Sequence, residues 1–175
     1  MENITFAILF GNRGFFPESV IASAREEMCE AVARAGAKAL CMDPALTRCG
    51  AVETREEGIA FAEFLKAHEG KYDGLIICLP NFGDENGIKE AIKDLKVPVL
   101  LQAYPDELDK LDFANRRDAF CGRLGLCAVL KQMGVKFVSG STFTAHPLSE
   151  GFHRDRKSTR LNSSHKSLSR MPSSA

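Results

Sequence analysis

Apolar residues fall in short runs that alternate with longer segments of helical periodicity. Five runs, bounded by glycine, proline or polar residues, are predicted to be strands, at residues 4–10, 37–42, 75–79, 97–101 and 135–138. The third run, Leu-Ile-Ile-Cys-Leu, contains no polar residue, which is typical of a strand buried on both faces of a parallel sheet. We take it as the strand around which the fold is organised.

The segments between these runs carry helix signals. Thr54 and Glu57 have the spacing of a capping box, and Asp84 is placed to cap the helix that follows the third strand. Pro17 suits the first turn of a helix, where its missing N–H costs nothing. Helices are therefore predicted at about 17–35, 54–70, 84–95 and 115–133, with a short additional helix after the turn at 104–107.

Strands that alternate with helices predict an α/β fold, built as a three-layer doubly wound parallel sheet. The expected strand order is the flavodoxin-like (Rossmann-like) order 2-1-3-4-5. The carboxyl ends of parallel strands share one edge, so the loops after the first, third and fourth strands should converge there. Open α/β sheets bind ligands at this edge, which makes it the predicted site.

Residues of the first and third loops are candidates for contacting a substrate. Arg13 directly follows the first strand, where its guanidinium can hydrogen-bond a polyol, carboxylate or phosphate, or can instead form a salt bridge with Glu18. Asn81 and Phe82 follow the third strand, and the ring of Phe82 is placed to stack on the apolar face of a sugar. The two phenylalanines at 15–16 are interpreted as anchors that pack the first loop on the core.

Two aspartates are further candidates, each with a structural alternative. Asp84 fits a ligand contact and a helix cap equally well. Asp118 precedes the last helix, beside the two arginines at 116–117, and all three can cap and charge the start of that helix; for the arginines we favour this role.

Length and charge narrow the class of protein. The chain has 175 residues, enough for one domain with a substantial core, and its net charge of zero averages two dissimilar segments. Residues 154–175 hold six basic residues and one acidic residue, whereas the remainder holds 17 basic and 22 acidic residues. The mildly acidic remainder gives no indication of a nucleic-acid partner.

No apolar run is long enough to cross a membrane and no leader pattern is present, so no membrane partner and a cytoplasmic location are expected.

The chain is predicted to divide into three parts. Residues 1–138 form an N-terminal α/β domain, and residues 139–153 begin a truncated second domain. Residues 154–175 are serine-rich and basic without an apolar face, which predicts disorder. This tail resembles translated sequencing adapter and is interpreted as an artefact, with a genuine basic binding tail as the alternative.

The motifs give no support for a nucleotide, metal or redox site. The sequence contains neither the G-x-G-x-x-G dinucleotide fingerprint nor a phosphate-binding G-x-x-x-x-G-K-[ST] loop. The four histidines are scattered and none has metal-ligand spacing, so no metal site is predicted. The six cysteines form no Cys-x-x-Cys pair and are interpreted as reduced residues that pack in the core.

Four separated motifs carry a family resemblance. They are Phe-Gly-Asn-Arg-Gly-Phe-Phe-Pro at 10–17, Cys-Leu-Pro-Asn-Phe-Gly-Asp-Glu at 78–85, Leu-Gln-Ala-Tyr-Pro-Asp-Glu-Leu at 101–108 and Asn-Arg-Arg-Asp-Ala-Phe-Cys-Gly at 115–122. Over roughly residues 3–152 the chain resembles the N-terminal part of an L-fucose/L-arabinose isomerase-like protein.

The resemblance implies an enzyme that interconverts aldoses and ketoses with a divalent metal, commonly manganese, and assembles as a homo-oligomer. The metal ligands of that family lie in later domains, so this chain is expected to lack both the metal and the catalytic residues and to be inactive alone. By the same resemblance, Arg13 faces the sugar and Phe82 falls where an aromatic residue closes the site of a neighbouring subunit. The second hypothesis is a non-catalytic sugar-binding module of the same α/β build. Sequence downstream of Arg154 distinguishes the two, because only the enzyme requires a further pair of carboxylates and a histidine.

Overall fold

Five parallel strands form a single sheet in the part of the chain that the computed structural model describes, residues 4–140 and 143–150. The strands are β1 (Thr5–Phe10), β2 (Lys38–Cys41), β3 (Gly74–Leu79), β4 (Val99–Ala103) and β5 (Phe137–Val138). Their order is β2-β1-β3-β4-β5, which confirms the predicted α/β class and the flavodoxin-like order. In the register of the sheet, Ile8 of β1 lies between Cys41 of β2 and Ile76 of β3.

Four α-helices connect these strands in the described residues: α1 (Ser19–Arg34), α2 (Arg55–Ala67), α3 (Glu85–Ile92) and α4 (Ala119–Gln132). Two short 3-10 helices, Pro44–Leu46 and Arg48–Gly50, lie between β2 and α2. No helix of the described residues is long and apolar enough to cross a membrane.

Local capping explains where α2 and α3 begin. The Thr54 side chain accepts a hydrogen bond from the backbone N–H of Glu57, whose carboxylate in turn accepts from the backbone N–H of Thr54. This confirms the predicted capping box. The Asp84 carboxylate accepts from the backbone N–H groups of Asn86 and Gly87, so the predicted helix cap at Asp84 is also confirmed.

The prediction of a short helix after residues 104–107 is wrong, because this segment forms turns. Its aspartates compete with helical hydrogen bonding: Asp106 accepts from the backbone N–H groups of Arg117 and Asp118, and Asp112 accepts from the backbone N–H of Ala114. For the same reason α4 begins at Ala119 and not near residue 115. Asp118 has φ of 48°, a left-handed conformation that a helix cannot include.

Helices cover both faces of the sheet, which gives two hydrophobic cores. Side chains of β3 alternate between the two faces, so this strand contributes to both cores. Leu75, Ile77 and Leu79 point to the face packed by α2, α3 and α4. Ile76 and Cys78 point to the opposite face, packed mainly by α1. All six residues of β3 are buried, which confirms the expectation for the organising strand. Burial of each such branched side chain contributes roughly 1.5–3 kcal/mol to the free energy of folding. The two cores therefore stabilise the sheet that carries the loops of the carboxyl edge.

α4 approaches the loop after β3 so closely that only glycine fits at the contact. A Cβ atom at Gly122 would lie 1.7 Å from the carbonyl oxygen of Phe82 and 2.9 Å from its Cα. Backbone cannot move aside as the end of a flexible side chain can. The absence of a side chain at Gly122 therefore fixes the distance between α4 and the Phe82 loop.

Gly122→Ala should lower the free energy of unfolding by about 1–3 kcal/mol, since the new methyl group collides with the Phe82 backbone. Gly125→Ala in the same helix is the matched control, because its methyl group would meet only the Glu85 carboxylate, at 2.7 Å, which can rotate away. Alanine is otherwise favoured over glycine in a helix by up to about 1 kcal/mol, so the control should be neutral or stabilising. Urea unfolding of both variants measures the difference, and a Gly122→Ala protein as stable as the control would contradict the close contact.

Candidate functional site

The loops after β1, β3 and β4 meet at the carboxyl edge of the sheet, as predicted. The backbone N–H of Gly11 donates to the carbonyl oxygen of Cys78 at 2.9 Å, and the N–H of Tyr104 donates to that of Leu79 at 3.0 Å. The segment before α2 joins them, because the N–H of Asn12 donates to the carbonyl oxygen of Val52 at 3.0 Å. Four segments that are distant in sequence thus form one surface.

A pair of buried amides ties the first and third loops together. The Nδ2 of Asn81 donates to the Oδ1 of Asn12 at 2.6 Å, and neither side chain has any solvent exposure. Asn81 also donates to the carbonyl oxygen of Pro17 at 3.3 Å and accepts from the N–H of Gly83 at 3.3 Å. Asn81 therefore holds the loops in place, and its predicted contact with substrate stays a prediction.

The amide pair extends to a carboxylate on a further segment. The Nδ2 of Asn12 donates to the Oε2 of Glu53 at 2.8 Å, and the side chain of Glu53 is only 18% exposed. Arg48 forms an ion pair with the same carboxylate at 3.0 Å. Glu53 thus receives an amide donor on one side and a cation on the other, which stabilises a charge that is largely removed from water.

Arg13 lies over the ring of Phe82, with its guanidinium carbon 4.7 Å from the ring centroid. Its Nη1 is 3.3 Å from the Oε2 of Glu85, and the two side chains are 35% and 26% exposed. The predicted alternative of a salt bridge between Arg13 and Glu18 is wrong, because Glu18 pairs with Arg48. Arg13 points across the edge toward α3 and not along its own loop. A cation, a ring face and a carboxylate therefore lie side by side, partly open to solvent.

A series of aromatic rings supports this cluster from the first loop. The ring of Phe16 is buried and stacks on Phe82 with centroids 5.4 Å apart, which confirms its predicted role as a loop anchor. Phe15 differs from the prediction, since it is 60% exposed and its ring stacks on the exposed Phe113 at 6.4 Å. The ring of Phe15 also contacts that of Phe16, with centroids 4.7 Å apart, so it packs on the outer side of the anchor and not on the core.

Arg117 joins the loop before α4 to the loop after β3. Its Nη1 donates to the carbonyl oxygen of Pro80 at 3.1 Å, and its guanidinium lies 4.9 Å from the ring centroid of Tyr104. Arg117 precedes the first residue of α4 by two positions, and its interpretation as a residue that charges the start of this helix stays a prediction. Beneath it, burial raises the pKa of Tyr104 above its usual range, so the hydroxyl stays protonated and donates to Glu27 at 2.6 Å.

The two candidate aspartates lie at helix starts. The carboxylate of Asp84 is partly exposed and is occupied in capping α3. The carboxylate of Asp118 makes no capping hydrogen bond, and its Oδ2 is 3.1 Å from the Nε of Arg116. The prediction that either aspartate contacts a substrate stays a prediction.

Sequence reasoning missed three residues that build the edge: Asn12, Glu53 and Glu85. Asn12 follows a strand and could have been recognised as a buried polar residue that needs a partner. Glu85 directly follows the cap Asp84. It could have been recognised as an acidic residue in the first turn of a helix, where a negative charge is favoured. Glu53 offered no signal, because the irregular segment between the second 3-10 helix and α2, which brings it to Asn12, has no periodic pattern.

Residues 7–158 match the family described as Fucose/sulfoquinovose isomerase, N-terminal domain. The chain belongs to this family. No match was found among curated proteins. The family match covers the sheet from Ala7 of β1 onward and all four segments of the carboxyl edge. It ends within 154–175, the segment for which we predicted an artefactual tail, and that tail lies outside the described residues.

The resemblance described above implies a divalent metal ion, so the described residues are relevant as possible metal ligands. Within residues 4–140 and 143–150 no three His, Cys, Asp or Glu side chains lie close enough together to hold a metal ion. The described residues therefore do not fit such an ion.

The Asn12–Asn81 hydrogen bond should behave as a coupled unit. Either single substitution, Asn12→Ala or Asn81→Ala, leaves a buried amide without its partner and should reduce the free energy of unfolding by about 1–3 kcal/mol. The double variant should cost less than the sum of the two, with a coupling of at least about 0.5 kcal/mol. Urea denaturation of the four proteins gives the coupling, and strictly additive effects would contradict a direct bond.

Proposed function

We propose that this chain is the N-terminal domain of a sugar isomerase that interconverts an aldose and a ketose, and that its carboxyl edge forms part of the rim of the substrate site. The observation that carries the proposal is the cluster of Arg13, Phe82 and Glu85, which is partly exposed at the edge where open α/β sheets bind ligands. The family match supports an isomerase domain in general terms.

The chemistry of the cluster suits a polyol. A guanidinium donates several hydrogen bonds in a fixed fork, which fits adjacent hydroxyl groups, and the Glu85 carboxylate accepts from hydroxyls. The face of the Phe82 ring offers a flat apolar surface to the C–H bonds of a sugar. Because Arg13 and Glu85 are already paired, neither side chain must be ordered from a fully mobile state when a ligand binds.

The reacting groups belong elsewhere in this proposal. If the reaction uses a divalent cation such as manganese, the ligands must come from outside the described residues. These residues then bind and orient the sugar without taking part in proton transfer.

We expect the 175-residue chain alone to show no interconversion of aldose and ketose, with or without added manganese. A coupled assay with several aldoses measures this, and the complete protein serves as the positive control. Metal-dependent turnover by the isolated chain would contradict the division of roles.

Exposed apolar side chains around the cluster support a site shared between subunits. Leu108, Leu111 and Phe113 are 91%, 56% and 67% exposed, and Phe113 stacks on Phe15 beside the cluster. Apolar residues exposed together are typical of protein interfaces. We propose that a neighbouring copy in a homo-oligomer covers them, which would place the Arg13 cluster at the edge of the neighbour's substrate site.

Arg13→Ala in the complete protein should raise KM by about 5- to 150-fold, the range that corresponds to a lost charge-assisted hydrogen bond of about 1–3 kcal/mol. The effect on kcat should be smaller, since the contact is made to groups that do not react. Arg34→Ala is the matched control, because Arg34 is an exposed arginine in the last turn of α1 that pairs with Glu30. An unchanged KM in Arg13→Ala would leave that residue with its structural role beside Glu85 only.

Mixing subunits tests the shared site separately. Oligomers that combine Arg13→Ala subunits with subunits lacking a metal ligand should regain some wild-type sites, because each chain then supplies one intact half. Hybrids without recovered activity would argue against sharing between subunits. A complete protein that binds sugars but never converts them would favour the non-catalytic sugar-binding module.

A further inference from the structure

Two free cysteines face each other between α1 and the edge strand β2. The Sγ atoms of Cys29 and Cys41 are 3.5 Å apart, and both residues are partly exposed. Cys78, by contrast, is fully buried within β3. Cys29 is in the third turn of α1, and Cys41 is the last residue of β2.

We propose that Cys29 and Cys41 form a reversible disulfide that ties α1 to β2 when the protein meets a small disulfide such as glutathione disulfide. A disulfide bond is about 2.05 Å long, so the two sulfur atoms must approach by about 1.5 Å. β2 is an edge strand with a single neighbour, β1, and it can shift more easily than a central strand.

An arginine clamp already holds the two elements together one helical turn from Cys29. The Nη1 of Arg25 donates to the carbonyl oxygen of Gly50 at 2.6 Å, and its Nη2 donates to that of Met42 at 2.8 Å. Met42 directly follows Cys41 in the sequence. The clamp therefore keeps the end of β2 beside α1 and the two thiols in contact.

The environment assigns different roles to the two thiols. The hydrogen bond between the two thiols and the positive charge of Arg25 lower the pKa of Cys29 to about 7, although burial opposes the shift. The same hydrogen bond and burial raise the pKa of Cys41. We assign the attack to Cys29, which follows the Arg25 cation by one helical turn on α1, and the resolving step to Cys41 on β2.

The exchange proceeds in two balanced steps. The Cys29 thiolate attacks one sulfur of glutathione disulfide, forms a mixed disulfide and releases one glutathione thiolate, which takes up a proton. Cys41 then loses its proton and attacks the Sγ of Cys29, which expels the second glutathione as its thiol. The protein is oxidised by two electrons and the small disulfide is reduced to two thiols.

Closing this loop should stabilise the domain. The bond would link residues 29 and 41, a short loop, and a bridge of this size restricts the unfolded chain enough to raise Tm by several degrees in a protein of this length. The oxidised chain should therefore melt above the reduced chain, and dithiothreitol should reverse the change.

The full 175-residue chain is equilibrated in glutathione buffers of increasing oxidation, trapped by rapid alkylation and analysed by peptide mass mapping. We expect a peptide that joins Cys29 to Cys41 and an intact mass that lacks two alkyl groups compared with the reduced chain alkylated in the same way. Before full oxidation, alkylation of limited extent should label Cys29 faster than the exposed Cys121. Absence of the joined peptide in every buffer, or scattered pairing that includes Cys121, would overturn the proposal.

Single variants separate the two roles. Cys41→Ser should stop at the mixed disulfide on Cys29, and Cys29→Ser should give neither product at these positions. Cys121→Ser is the control and should form the bond as the wild type does. Equal trapping of glutathione at residue 41 in Cys29→Ser would contradict the assigned order, and the mapping of the wild-type chain decides the existence of the bond even if a variant fails to fold.

Discussion

The buried hydrogen bond between Asn12 and Asn81 is the constraint on which the carboxyl edge depends. Each asparagine directly precedes a residue of the exposed cluster, Arg13 in one loop and Phe82 in the other. With both amides fully buried and 2.6 Å apart, the two backbones cannot separate without leaving polar groups unpaired. The position of the guanidinium over the ring follows from this bond between their neighbours in the chain.

Close packing and charge complete the arrangement around that bond. α4 can approach the Phe82 loop because Gly122 has no side chain, and Arg117 then donates to the carbonyl oxygen of Pro80 from the loop before α4. Glu85 balances the charge of Arg13, and Glu53 receives the donor of Asn12. Every polar group named here belongs to a different segment of the chain from its partner, so the edge is formed jointly by the segments that converge on it.

The alternation of strands and helices was sufficient to predict the sheet, its order and the edge at which the loops meet, because hydrophobic periodicity and chain connectivity dictate them. The caps at Thr54 and Asp84 were also predictable, since each acts within three residues along the chain. Contacts between loops could not be predicted from the sequence. Nothing near Arg13 in sequence indicates Glu85 as its partner, and the turn at 104–118 departs from helix through side-chain hydrogen bonds that span more than ten residues.

The candidate residues divide in the same way. Reasoning from strand ends correctly placed Arg13 and Phe82 at one point of the surface, but it could not tell that Asn81 faces inward, because inward and outward positions of a loop have no fixed period.

A crystal structure of the complete protein with a bound aldose tests the account most directly. We expect the guanidinium of Arg13 within hydrogen-bond distance of a sugar hydroxyl and the Phe82 ring against the C–H face of the sugar, with the Asn12–Asn81 bond unchanged. A sugar bound elsewhere, with Arg13 still paired only to Glu85, would contradict it.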